Sequence, residues 1–526
     1  MSIILLAVVV LCTVLWVAVG LTASWQRQHI SEDYFLAGRT LPWYAIGLSI
    51  AGASCRLEVW LLMVGLAAAY GLAAAALAWG NLLALGALGW VLLPYFYRKK
   101  LYGPAEFLER RYSPAARGLF VLLMFPALVL GVLAPALYVG GGVLCELGLG
   151  LGVGQSPWTL IACVAVVALI AGISCVYGGL MAGVWAGAVG MVVFLAGGAV
   201  LAAAAVHDAG GVTEMLQANS PPRLDWFLGT HPPAPGVPAQ WVGPEPALPW
   251  TGVLAFVLVL ATWQAAVSPV VVQRCLGARS ERDAKLGILL AGLLQLVLAA
   301  FVVLPGLAAV VHWHSAAGPL DQAARNLVEG VLGRQSLLGA LGQGLVVAAA
   351  LAAVINTVTG ALNALSSLWT MDLCQDLLGR NVSEAALVGR GRRSSLAALV
   401  VGAVLAPGLL LWENGVLDFI LELAAVIGPP TAVVFLVAFF WPRAHGRAAV
   451  ATLVVGVLAG LALWVAASLG EEVPAWLAPV LNRAGVCGAV SLVMLVLGTL
   501  AIPQNPRELY DPDTTWSLAW SRSPRR

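Results

Sequence analysis

Charge is what this chain has least of. Only 10% of its 526 residues are Asp, Glu, Lys or Arg, against about 25% in an average soluble domain. A soluble chain of this length shows a polar surface in its composition, so a soluble enzyme and a disordered chain are excluded. No basic excess exists either. The 27 Lys+Arg stand against 25 Asp+Glu, which leaves no surplus to seek phosphate and excludes a nucleic-acid partner. The eight cysteines include no CxxC and no Cys/His spacing, which excludes a zinc site and a disulfide framework. Cys12, Cys55, Cys163, Cys175 and Cys487 fall inside apolar runs, where a thiol packs as a small hydrophobe. HExxH, GxSxG and a clustered His/Asp/Glu set at one membrane face are missing too, which counts against a membrane enzyme and any organic cofactor.

What is present is apolar. Hydrophobic residues make up 61% and the mean hydropathy is +0.93. A transmembrane helix needs about 20 apolar residues. The chain supplies about thirteen such segments, near 3–24, 41–68, 72–97, 118–147, 158–177, 178–206, 250–272, 286–312, 339–371, 396–412, 416–440, 448–469 and 484–503. The expected fold class is an all-α integral membrane protein in contact with lipid throughout. The 3–24 segment has no basic residue before it and is too long for a signal peptide, so it reads as a retained span.

Charge then orients the chain. Loops at 25–40, 98–117, 273–285, 372–395 and 441–447, with the tail after 503, carry 22 of the 27 Lys+Arg. The opposite loops carry four, Arg223, Arg325, Arg334 and Arg483, and Arg56 lies within a span. The positive-inside rule predicts an outside N-terminus and a cytoplasmic C-terminus in the cytoplasmic membrane. The break at 207–249, Pro-rich over 231–246, is expected outside and irregular, and the polar 504–526 tail inside. His312 and His314 flank Trp313, an interfacial arrangement rather than a metal pair. Glu413 and Asp418 are expected near the outer surface. The acceptor pattern at Asn381 falls in a cytoplasmic loop and carries no weight.

Several stretches, in order and with matching spacing, resemble one family. DYFLAGRTLPWYAIG at 33–47, GPAEFLERRY at 103–112, YGGLMAGVWAG at 177–187 and VQRCLGARSERDAKLG at 272–287 are similar to the sodium:solute symporters. So are Thr370-Met371-Asp372 at a helix end and Pro429-Pro430 with the apolar run after it. The resemblance spans about residues 31–445. It implies an inverted-repeat fold of the LeuT type: one extra helix (1–24), a first five-helix repeat (41–206), a second, inverted repeat (250–440) and two further helices (448–503). It also implies a secondary transporter for a small-molecule solute with sodium as coupling ion. In such folds the first helix of each repeat is broken at mid-membrane. Gly52-Ala53-Ser54 and Ser268-Pro269 are the expected breaks.

The resemblance implies a sodium site built from the carbonyls of Gly52, Cys55 and Ala353, with the side chains of Asn356 and Thr357. Sodium is a hard cation that takes oxygen, and Asn356 replaces a usual serine. The same two side chains could instead form a plain helix–helix contact. Two departures stand out. The family commonly has Thr-Asp after the tryptophan of the fifth core helix, whereas Trp185 is followed here by Ala186 and Gly187. Arg56 is the second. An arginine in a span costs at least about 2.5–3.5 kcal/mol on insertion scales, so a partner is expected, Glu58 or Glu422. Three readings of Arg56 compete: it binds a substrate carboxylate, it stands where sodium would sit and gives a uniporter or exchanger, or it forms a structural ion pair. Glu58 matches a position where some sugar-transporting relatives carry a substrate-facing acid. Leu77, Ala78 and Ala265 lack the polar groups of a sugar site, however. Ser54 and Gln264 remain as polar candidates, with Trp60 and Trp263 as aromatic walls or packed aromatics. The expectation leans to a small organic anion, an amino acid or a largely apolar solute. The alternative is a receptor or scaffold that kept the fold without transport.

Overall fold

The computed structural model describes residues 3–24, 30–145, 157–219, 224, 250–312, 337–374, 382–412, 416–469 and 474–503. The Pro-rich 231–246 stretch, Asn381, His314, Glu413 and the 504–526 tail lie outside the described residues.

Hydrocarbon offers backbone groups no partner, so each crossing closes its own hydrogen bonds as a helix. Among the described residues there is no strand, only one isolated bridge between Leu41 and Ala278. Eleven helical runs among the described residues are long and apolar enough to cross a membrane. Two of them, Leu57–Arg98 and Trp158–Asp208, reach 42 and 51 residues, the length of two crossings each. Both turn at a glycine with positive φ, Gly71 (69°) and Gly179 (54°). At Gly179 a Cβ would stand 2.4 Å from the Tyr34 carbonyl oxygen, so only glycine fits.

The Pro157–Asp208 helix packs on Leu337–Ser367, and Ile3–Ser24 lies across both. Glu281–His312 packs on Trp43–Ser54, Leu57–Tyr70 and Ala75–Ala87, while Val416–Phe440 packs on Gly446–Ser468 and Val480–Ala501. With lipid as apolar as leucine, such contacts depend on close approach. Gly306 shows how close: a Cβ there would sit 2.5 Å from the Ala67 Cβ.

Two helices are interrupted. Trp43–Ser54 ends at Cys55, and Leu57–Tyr70 starts after Arg56, whose φ/ψ of −66°/132° is extended. The break thus falls just after the expected Gly52-Ala53-Ser54. The three small residues stay helical, and Cys55 and Arg56 carry the turn. The second interruption is at Ser268, extended at −60°/126°, with Pro269 opening the Pro269–Leu276 helix, as expected. Proline at a helix start costs nothing, because its missing donor is one the first turn leaves unused.

The end of the bundle holding 98–117 and 277–285 is tightly tied. Arg117 bridges Glu109 (2.5 Å) and Asp372 (2.9 Å), and Arg98 meets Glu281 at 3.2 Å. Buried Arg111 donates to the carbonyls of Ala438, Trp441 and Ala444, each at 2.9 Å. Burial holds the Tyr112 hydroxyl well above its usual range, so it stays a donor to the Val434 carbonyl. The Leu41 amide donates to Gly277 and its carbonyl accepts from Arg279. That two-bond ladder joins the start of one broken helix to the end of the other.

Candidate functional site

A cavity of about 400 Å³ lies against both helix breaks. Ser54, Cys55 and Arg56 line it from the first break, and Gln264, Ala265 and Ser268 from the second. The lining continues to Asp418 and Arg483 at the opposite end from the Arg117 cluster and includes no residue of that cluster.

Of the seven expected substrate-binding residues, Ser54, Arg56, Trp60, Trp263 and Gln264 line the cavity. Glu58 and Glu422 do not. Each is buried behind an arginine that does. Arg56 Nε donates to Glu58 Oε1 at 2.6 Å and its Nη2 to the Gly131 carbonyl at 2.5 Å. Residues two apart on an intact helix face apart. Here Arg56 precedes the helix and Glu58 sits in its first turn, where the helix dipole favours an acid. Glu58 is completely buried and its Oε2 has no partner. Of the two partners expected for Arg56, Glu58 is the one it meets; Glu422 bonds Arg483 instead, on the adjacent Val480–Ala501 helix.

The aromatic walls face inward rather than out to lipid. Trp60 and Trp263 each have a buried Nε1 with no partner. So does the Nε2 of Gln295, 4% exposed and on the cavity wall. Gln295 and Asn81, inside expected spans, and Arg483, expected in an outer loop, also line the cavity. The signal was available for Gln295, a polar residue in the otherwise apolar 286–312 run. Leu77, Ala78 and Ala265 do line the cavity and do leave it without polar groups there.

Around the expected ion site, Thr357 lines the cavity and its Oγ1 donates to the Ala353 carbonyl at 2.9 Å. The Cys55 amide donates to the Ala51 and Gly52 carbonyls. Asn356 is engaged elsewhere. Its Oδ1 accepts from Arg274 Nη2 at 3.3 Å. Its Nδ2 has no partner and faces Gly52, where a Cβ would stand 2.2 Å from it. Arg274 is 2% exposed. Besides Asn356 it donates from Nε to Ser49 Oγ (2.8 Å) and from Nη1 to the Val270 carbonyl (2.5 Å). The charge pattern places Arg274 in the basic 273–285 loop. The Pro269–Leu276 helix carries it into the bundle instead. Among the described residues no group of His, Cys, Asp and Glu could hold a metal ion by itself.

The family model for the sodium:solute symporter family matches residues 34–456. Over 467 residues the chain is 29% identical to a sodium/glucose cotransporter of Vibrio parahaemolyticus, covering 85% of this chain and 81% of that one. It is 27% identical over 482 residues to sodium/glucose cotransporter 4 of Danio rerio, covering 87% and 71%. Among solved structures, a substrate-bound, outward-open Na+-coupled sialic acid symporter superposes with a TM-score of 0.77 at 20% identity, covering 96% and 99%. A nucleobase-cation-symport-1 family transporter in a closed conformation gives 0.57 at 13%, covering 92% and 98%. These likenesses give the fold as the LeuT-type inverted repeat.

Proposed function

Because the chain belongs to the sodium:solute symporter family, we propose that it carries a small organic solute across the cytoplasmic membrane by alternating access, with sodium as coupling ion. Family membership makes it a multi-pass secondary active transporter and not an enzyme. The cavity carries the finer reading. It touches both helix breaks and extends to one end of the bundle only, as a transporter open to one side requires. The closed end is the basic one, which the positive-inside rule assigns to the cytoplasm, with the N-terminus outside and the C-terminus inside.

The wall chemistry narrows the solute. Arg56 presents a guanidinium, and Trp60 and Trp263 add aromatic walls, while Gln295 adds a polar side chain. The bound solute should therefore bring an acceptor group to Arg56 between two indole walls. Glucose is named for the curated relatives and sialic acid for the solved neighbour. The arginine-lined wall favours the acid-bearing kind, an organic anion. For the ion, the Ala353, Gly52 and Cys55 carbonyls and the Thr357 hydroxyl are the oxygens proposed to hold sodium, joined by Asn356 when its amide oxygen is free.

Counterflow in proteoliposomes tests this, with radiolabelled organic acids first and sugars second, in sodium and in choline. Uptake above protein-free vesicles, raised by sodium in the native protein but not in Thr357→Ala, is expected. No counterflow of any solute by a folded protein overturns the transport reading.

A further inference from the structure

We propose that Arg274 sets the sodium affinity of the site by competing, as a tethered cation, for the Asn356 side-chain oxygen. This rests on the ion-site reading above and adds what limits that site.

All three acceptors of Arg274 are neutral: a hydroxyl, a carbonyl and an amide oxygen. A buried guanidinium ordinarily takes a carboxylate, and none is bonded here. Two glycines make the room. At Gly187 a Cβ would stand 2.6 Å from Asn356 Oδ1 and 2.9 Å from Ser49 Oγ, two of the oxygens the guanidinium holds. At Gly360 it would stand 2.8 Å from Arg274 Nη2.

With its oxygen on Arg274, Asn356 turns its Nδ2 toward Gly52, at the first helix break. Sodium takes oxygen, so the amide shows the ion position its wrong end. For Asn356 to coordinate, its amide must rotate. That breaks the bond to Arg274 and leaves a buried positive charge with one partner fewer. An ion on that oxygen would also sit within about 6 Å of the guanidinium, close enough for like charges to disfavour each other. Both effects weaken sodium. A carboxylate on residue 187 would remove both, because it would reach the guanidinium directly and neutralise it, releasing Asn356. The contacts in its way are the far ends of the Asn356 and Ser49 side chains.

The test titrates purified protein with sodium chloride, choline chloride holding the ionic strength, and reads the melting temperature. A ligand that binds only the folded state raises it in proportion to RT ln(1 + [L]/Kd). Gly187→Asp is expected to lower the half-saturating sodium concentration at least tenfold, and Thr357→Ala added to it to abolish the response. Should Gly187→Asp fail to fold, Arg274→Gln keeps an amide donor, removes the charge, and is expected to shift the midpoint the same way. A loss of packing alone would lower the melting temperature in choline without moving that midpoint. A sodium response that Thr357→Ala removes but that neither Gly187→Asp nor Arg274→Gln shifts overturns the competition and leaves the ion site standing. No sodium response in any variant overturns both, while counterflow still judges transport separately.

Discussion

Both helix breaks bring an arginine into the apolar bundle, and they settle its charge differently. At the first, Arg56 has a carboxylate: Glu58 is fully buried against it at 2.6 Å. Near the second, Arg274 has only neutral oxygens on three separate stretches of chain. A charge paired with one acid depends on that acid, whereas a charge shared among dipoles loses only a fraction when one is removed. The first arrangement suits a fixed wall of a binding cavity. The second suits a group whose partners can be exchanged.

Glu58→Gln should break the contrast most. It leaves the Arg56 charge facing a neutral amide and should cost about 3–5 kcal/mol, because one partner of a buried pair is gone. A lowered melting temperature and lost solute counterflow would show it. Adding Arg56→Gln should recover most of that stability without transport, since no bare charge remains. Glu422→Gln follows, at about 3 kcal/mol, felt through Arg483 rather than Arg56. Arg56→Gln in that background should therefore not restore it. Ser49→Ala is the smallest. Arg274 keeps two of its three acceptors, so about 1–2 kcal/mol is expected. A loss as large as that of Glu58→Gln would erase the contrast.

The fold was legible because the bilayer writes itself into the sequence as runs of about 20 apolar residues, and because proline marks a helix start. Pro269 announced the second break. The first had no such mark. Gly52 and Ser54 are weaker helix formers, but Ala53 between them is the strongest, and the helix runs through all three before the chain turns at Cys55 and Arg56. The inward-facing residues of the cavity could be named as candidates because tryptophan, glutamine and arginine are conspicuous among alanine and leucine. Their partners were legible only as alternatives, Glu58 or Glu422 for Arg56. Arg56 meeting Glu58 needs the turn between them, and Glu422 meeting Arg483 needs two helices 61 residues apart to pack. The orientation of Asn356 was hidden for the same reason, since a guanidinium from another helix decides which end of its amide faces Gly52.

The Leu41 ladder has a mechanical consequence. Two main-chain bonds, Leu41 to Gly277 at 3.0 Å and Arg279 to Leu41 at 3.1 Å, fasten the two half-helices below the breaks into one leaf. Being made of backbone, the latch survives any change of side chain that keeps the chain's path. The ladder ties the start of Trp43–Ser54 to the end of Pro269–Leu276, so a displacement of one is passed to the other through backbone alone. Cys55 and Ser268, where the two helices break, both line the cavity, so a molecule held there bears on both ends of the tied pair at once.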